Sequence, residues 1–232
     1  MTLNTTRPPS PNEVAEAAAL RLYRARSWLR KSRKAGSNTP PDLDAQFIFL
    51  WIAFNSLYGR RRRRDTSSGS QMSRGASELG DFKGFLEAIE RVSGSQVAAL
   101  LRRSPLAGSA AKVLDNPFLD LDCWDRWETD GIRDRQQRLA IPRRSYGGQP
   151  LPVPVFRQLY VLRNQLLHGA ASDAGRRNRE SLKSAILVLD AVVDALISLV
   201  AEHHVHIPSL HPPPFPPSTG DSMPFNRPKL SK

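Results

Sequence analysis

An all-α domain is the fold this chain predicts, and three observations predict it. Apolar residues recur at three- and four-residue intervals through several long stretches. No stretch shows the alternation of a half-buried strand. Helix-start and helix-stop residues bound these stretches, Ser10-Pro11-Asn12-Glu13 at the first and Gly169 at a later one. The expected architecture is an antiparallel bundle of four or five helices, with a long middle insertion and a proline-rich C-terminal tail. A chain of 232 residues suffices for one such domain with tails.

Residues 1–12 read as a disordered polar arm without an apolar signal segment. Ser10 caps, Pro11 suits the first helical position and Glu13 completes a capping box, so a helix runs from there to about Lys34. Val14, Ala18, Leu22, Ala25 and Leu29 make its inner face, and Arg21, Arg24, Arg26, Arg30, Lys31, Arg33 and Lys34 its basic outer face. Asp42 caps a second helix that ends at Gly59. Its stretch from Phe47 to Phe54 is apolar on every side, which predicts an enclosed central helix. Asn55 interrupts that stretch, and its amide must find a partner.

The Arg60–Arg64 run and the Ser/Gly-rich residues up to Gly80 are expected to be a mobile connection. Asp81 to about Arg103 reads as a helix with breaks at Gly84 and Gly94. Residues 104–154 are the least legible, although Phe118, Leu121, Trp124 and Trp127 follow a three-residue spacing that suits a short packed helix. Val155 to His168 is a helix closed by Gly169, and Glu180 to His204 a longer one. Residues 207–232 hold eight prolines and are expected to extend without a core. The helical domain is thus expected over 13–206, with its insertion at about 60–154.

Charge narrows the function. The net charge is +12 and the isoelectric point about 10.6, a balance that suits polyanion partners, most often nucleic acid. Residues 1–64 hold thirteen Lys and Arg against four acids, whereas 115–130 hold six acids and only Arg126 among the basic residues. A single cysteine, Cys123, excludes an internal disulfide and a cysteine-based zinc cluster, and a reducing cytoplasm is the simplest compartment. The most apolar run, Ala185 to Val200, is interrupted by Asp190 and Asp194 and is shorter than a membrane span, so a buried helix and no membrane contact are expected.

The chemistry concentrates in Arg163-Asn164-Gln165-Leu166-Leu167-His168-Gly169. His168 is the one histidine outside the C-terminal end, and it stands with an Arg-Asn pair at the end of an otherwise apolar helix. Positions five apart are turned by about 140° on a regular helix, so Arg163 and His168 do not share a face. They converge if the helix loosens at Gly169, or if two copies meet along it under twofold symmetry. Such a cleft suits metal-independent RNA cleavage. A neutral imidazole takes the proton of a ribose 2′-hydroxyl, which attacks the adjacent phosphate. Arg163 holds the phosphate and offsets its growing charge, and Asn164 orients the phosphate or the histidine. The competing interpretation is structural, with His168 satisfied by a carbonyl at a helix end and Arg163 on a solvated face.

These residues resemble the HEPN superfamily. Arg163 to His168 matches its Arg-x4-6-His signature, including the frequent Asn after the Arg. Phe49-Leu50-Trp51-Ile52-Ala53-Phe54-Asn55-Ser56-Leu57-Tyr58-Gly59 is similar to the first core helix of the Apea-like HEPN branch. The similarity covers about 13–60 and 154–205. It implies an all-α bundle of the HEPN type, a homodimer, and often a metal-independent endoribonuclease of prokaryotic defence, toxin–antitoxin or RNA-processing systems. It implies catalytic positions at Arg163 and His168, a supporting one at Asn164, and a place for Asn55 along the same cleft. It also implies a possible antitoxin or other protein partner. Many relatives in that superfamily are inactive binding or dimerisation modules. Ala170 stands where a subset of HEPN toxins has a modified Tyr, so that mode of control is not expected here.

Other features carry weaker chemistry. Arg60, Arg61, Arg62, Arg63 and Arg64 suit RNA phosphate contacts, or simply a solvated loop. His203, His204, His206 and His211 lack an accompanying cysteine or carboxylate set beyond Glu202, and no metal and no cofactor is expected. Asp190 and Asp194 share a helix face and suit a polar stripe or a partner for Arg163. Residues 115–130 suit an acidic surface patch, and Pro212 to Pro217 a spacer or a ligand for an aromatic groove.

Overall fold

Helices form where the local signals place them, and the capping residues set the first boundaries. In the computed structural model, which describes residues 10–59, 74–119, 150–167, 179–207 and 210, all regular structure is helical. Helix α1 spans Pro11–Gly36. Its capping box is complete, with the Glu13 N–H donating to Ser10 Oγ at 3.3 Å and the Ser10 N–H to Glu13 Oε2 at 2.6 Å. Helix α2 spans Leu43–Tyr58, and Asp42 Oδ1 accepts from the Ala45 N–H at 2.9 Å.

Helix α2 runs through the core, packed most extensively on α1. Phe47, Leu50, Trp51, Ala53, Phe54 and Leu57 are buried. It is not enclosed on every side, however. Ile48, Phe49 and Ile52 are only half-buried, because α1 covers the helix from one flank and leaves a strip beside Trp28 open. Arg21 departs from expectation in the opposite sense. It is fully buried rather than part of the basic face, because it shares the inner face of α1 with Ala18, Leu22 and Ala25.

Helix α3 spans Arg74–Val92 and so begins within the segment expected to be mobile. Gly84 does not break it. A helical glycine costs about 1 kcal/mol, whereas each buried Phe82, Phe85, Leu86 and Ile89 stabilises by about 1.5–3 kcal/mol. Gly94 does end it. Gly94 adopts φ +64, and the Ser95 N–H reaches back to Glu90 O at 2.8 Å, a left-handed helix terminus. Helix α4, Gln96–Leu101, follows, and then α5, Leu106–Leu114, and a 3₁₀ turn at Pro117–Leu119.

Phe82, Phe85, Ile89, Val97, Leu101, Val113 and Leu119 all join the one core cluster, so the described part of the insertion is built into the bundle. Phe118 is half-exposed, and the rest of its three-residue pattern lies outside the described residues.

Helix α6 spans Pro152–Leu167, starting three residues ahead of the expected Val155. Pro152 and Pro154 fit there because first-turn N–H groups have no partner inside the helix. Helix α7 spans Arg179–His203, followed by a 3₁₀ turn at His204–His206. By length and composition it is the one described helix that could cross a membrane, yet 61% of its most apolar window is buried inside the bundle. Leu189, Val192, Leu196 and Val200 face the core.

The core also continues past the expected end of the domain. Ile207 and Leu210 are fully buried. Arg21 explains why that segment docks. Its Nε donates to Leu210 O at 3.3 Å, and one terminal amine donates to Leu57 O at 3.3 Å and Gly59 O at 2.8 Å. One buried cation thereby ties α1, the end of α2 and the C-terminal segment together.

Candidate anion-binding site at the end of helix α6

Helix α6 is fixed in rotation by both faces. Phe156 and Tyr160 enter an aromatic cluster with Trp51, Phe54 and Tyr58 of α2 and Phe82 and Phe85 of α3, with ring centroids 4.4–6.4 Å apart. On another face Gln158 Nε2 donates to Leu114 O at 3.1 Å and Gln165 Nε2 to Phe118 O at 2.7 Å. These two amides stand seven residues apart, hence on one side of the helix, and lock it to the α5 segment. Arg163 and Asn164 have the orientation this leaves them.

Both are half-buried. A terminal amine of Arg163 donates to Asn164 Oδ1 at 2.8 Å, and its Cζ lies 6.0 Å from the Tyr160 ring centre. Its Nε is buried without a hydrogen-bond partner among the described residues. The Tyr58 hydroxyl, also buried, lacks one as well. Burial holds the Tyr58 phenol well above its usual range, and Glu78 and Asp81 push it further the same way, while Arg163 pulls it back. Arg163 therefore stands within electrostatic reach of Tyr58 at the end of α2, a phenol that Glu78 and Asp81 of α3 also influence.

The pair leaves donors uncommitted. The second guanidinium amine and the Asn164 carboxamide N–H₂ make no hydrogen bond among the described residues. Planar guanidinium and amide donors on adjacent residues are the chemistry of a phosphate or carboxylate site.

Other sequence-predicted residues are placed as follows. His168 and Arg60, Arg61, Arg62, Arg63 and Arg64 lie outside the described residues. Asn55 is half-buried one turn before Tyr58. No hydrogen bond joins its side chain to Arg163 or Asn164. It packs instead against the end of its own helix, where a Cβ on Gly59 would stand 2.8 Å from Asn55 O and 3.2 Å from Asn55 Oδ1, so glycine is needed for that close approach. Asp190 and Asp194 partner Arg33, not Arg163. Arg33 binds both oxygens of Asp190 at 3.1 Å and reaches Asp194 at 3.3 Å.

Tyr160 and Tyr58 are neighbours of Arg163 without a role expected from the sequence, and Glu78 and Asp81 act on Tyr58 in turn. Tyr160 carried a signal, since it precedes Arg163 by one helical turn. Tyr58 and the α3 carboxylates carried none, because tertiary packing alone brings them there. Among the described residues no group of three or more His, Cys, Asp or Glu could hold a metal ion. No protein-family model, curated protein or solved structure matches this chain.

Proposed function

We propose that the chain is a HEPN-type, metal-independent endoribonuclease, working as a homodimer in the cytoplasm within a defence or toxin-type system. The carrying observation is the Arg163–Asn164 pair, half-buried at the end of a core-building helix with donors uncommitted. In this reading Arg163 binds the scissile phosphate, and Asn164 holds the guanidinium in register through its 2.8 Å contact. His168 takes the proton of the ribose 2′-hydroxyl. The hydroxyl oxygen forms a bond to phosphorus, the bond to the 5′-oxygen breaks, and that oxygen leaves as a hydroxyl after gaining a proton. The products are a 2′,3′-cyclic phosphate and a 5′-hydroxyl. Removal of a general base slows such a step by about 10²–10⁴-fold. His168→Ala and Arg163→Ala should therefore each abolish detectable cleavage in EDTA while leaving a folded dimer. Unchanged cleavage in either variant would reject the assignment.

A second reading has its own observation. Glu78 and Asp81 act on Tyr58, the phenol that Arg163 also reaches, and carboxylates near that phenol oppose the approach of a phosphate. An inactive HEPN-type module that binds nucleic acid or a protein partner fits that environment. It differs from the first by giving salt-dependent RNA binding and no product at any pH.

A further inference from the structure

The outer face of α1 has features that the α6 site does not use. Arg24, Arg26, Arg30, Lys31 and Lys34 are exposed or half-exposed, and none forms an ion pair among the described residues. Arg33, at the edge of this arc toward α7, is spent on Asp190 and Asp194. At 100° per residue the five cations spread over roughly 160° of the helix, with Tyr23 among them at 48% exposure. At the opposite edge, toward α2, the arc meets two half-buried rings. Trp28 and Phe49 lie 5.7 Å apart, and Lys31 Nζ stands over both, 5.2 Å from Trp28 and 4.8 Å from Phe49. Ile48 and Ile52, also half-buried, continue α2's incompletely covered strip.

We propose that this α1 face, completed by Phe49 of α2, is a binding platform for single-stranded RNA. Cations follow the backbone and aromatic rings receive bases, the combination by which single strands are held without sequence readout. From Tyr23 to Lys34 the helix rises about 17 Å, enough for several phosphates. Lys31 couples the two halves. An exposed cation–ring contact is weak, so Lys31 leaves the rings readily when a base stacks there and a phosphate takes its charge. Charge also argues against the other occupant of an apolar strip, a second copy of the chain. Two such faces brought together would set like charges opposite one another, and Glu13 and Glu16, near the start of α1, are the acids that share this arc. The proposal rests on the RNA-directed reading above but locates binding away from Arg163.

The test uses full-length Arg163→Ala protein and a fluorescent 12-nucleotide uridine RNA. Binding is followed by anisotropy across a salt series, with heparin as a polyanion that lacks bases. If all five cations reach phosphate, the logarithmic salt slope is about −3.5, and Arg30→Ala or Lys34→Ala each makes it about 0.7 shallower. Trp28→Ala weakens binding by about 5- to 100-fold and leaves the slope in place. Phe49→Leu, which conserves apolar volume, weakens it in the same sense, so a folding defect in Trp28→Ala would not remove the test. Heparin binding responds to the Arg30 and Lys34 changes and not to the ring changes.

Affinity and slope unchanged in Arg30→Ala and Lys34→Ala would overturn the proposal. So would ring variants that bind RNA normally but run as monomers in size exclusion, which would assign the strip to a second copy. The two claims fail separately. A protein that binds as described but cleaves no RNA as wild type loses only the nuclease reading. A nuclease whose binding ignores α1 loses only the platform.

Discussion

Replacing Arg21 with Met keeps most of the side-chain volume and removes a group that joins three chain segments. The loss can be worked from the contacts. The bond to Gly59 O is short at 2.8 Å and charge-assisted, worth about 1.5–3 kcal/mol net. Those to Leu57 O and Leu210 O, both 3.3 Å, belong at the weak end, about 0.5–1 kcal/mol each. The variant recovers the desolvation of a fully buried guanidinium, which offsets part of the sum. The expected loss is about 2–4 kcal/mol. Urea unfolding followed by circular dichroism should show a lower midpoint at unchanged slope.

Truncation after His206 supplies the second arm, because it removes Ile207 and Leu210, each fully buried and worth about 1.5–3 kcal/mol, together with one acceptor of Arg21. Arg21→Met should then cost less in the truncated chain than in the full one, with a coupling of about 0.5–1.5 kcal/mol. Truncation after His211 is the control. A loss below about 1 kcal/mol on Arg21→Met, or strict additivity with truncation after His206, would refute the latch.

Other outcomes follow from single contacts. Burial raises the Glu90 carboxyl from the ordinary value of 4.5, against hydrogen bonds from the Val97 and Ala98 N–H groups, so the folded state holds that proton more tightly than the unfolded chain. Its contribution is complete below 4.5 and is lost as pH rises through the higher folded value, so Glu90→Gln should gain on wild type between pH 4 and pH 7 in paired urea titrations; a drift toward wild type would contradict this. Tyr58→Phe deletes a buried hydroxyl without a partner among the described residues and should change stability by less than about 1 kcal/mol in either direction; a larger loss would reveal a hydrogen bond there. Arg33→Ala breaks a bidentate but half-exposed pair and should cost about 0.5–1 kcal/mol at low salt, fading in 1 M NaCl; a loss that persists in high salt would point to packing instead.

Local chemistry made the starts of α1 and α2 legible. Ser10 with Glu13, Pro11 at the first helical position and Asp42 before Ala45 act within one turn, so sequence alone carries them, whereas Pro152 and Pro154 read as loop although they open α6. Tertiary balance was not legible. Gly84 reads as a breaker until four buried apolar neighbours in α3 outweigh it. Arg21 reads as one more cation on a basic helix, yet its spacing to Ala18 and Ala25 already placed it inward, and the type of residue obscured the position. Helices α4 and α5 are short, and the periodic signal in 6 and 9 residues is weak. In the candidate site the Arg163–Asn164 pair was visible as adjacent residues. The approach of Tyr58 to Arg163 was not, since it depends on how α2 and α6 meet.

The proposed chemistry is tested most directly by the ends of its products. Purified wild-type protein and Arg163→Ala would be incubated with a defined single-stranded RNA in EDTA, and the fragments analysed by mass. Fragments ending in a 2′,3′-cyclic phosphate and beginning with a 5′-hydroxyl, made by wild type and not by Arg163→Ala, are the expected result. Intact RNA with both proteins, or the same fragments with both, would contradict a cleavage site built on Arg163.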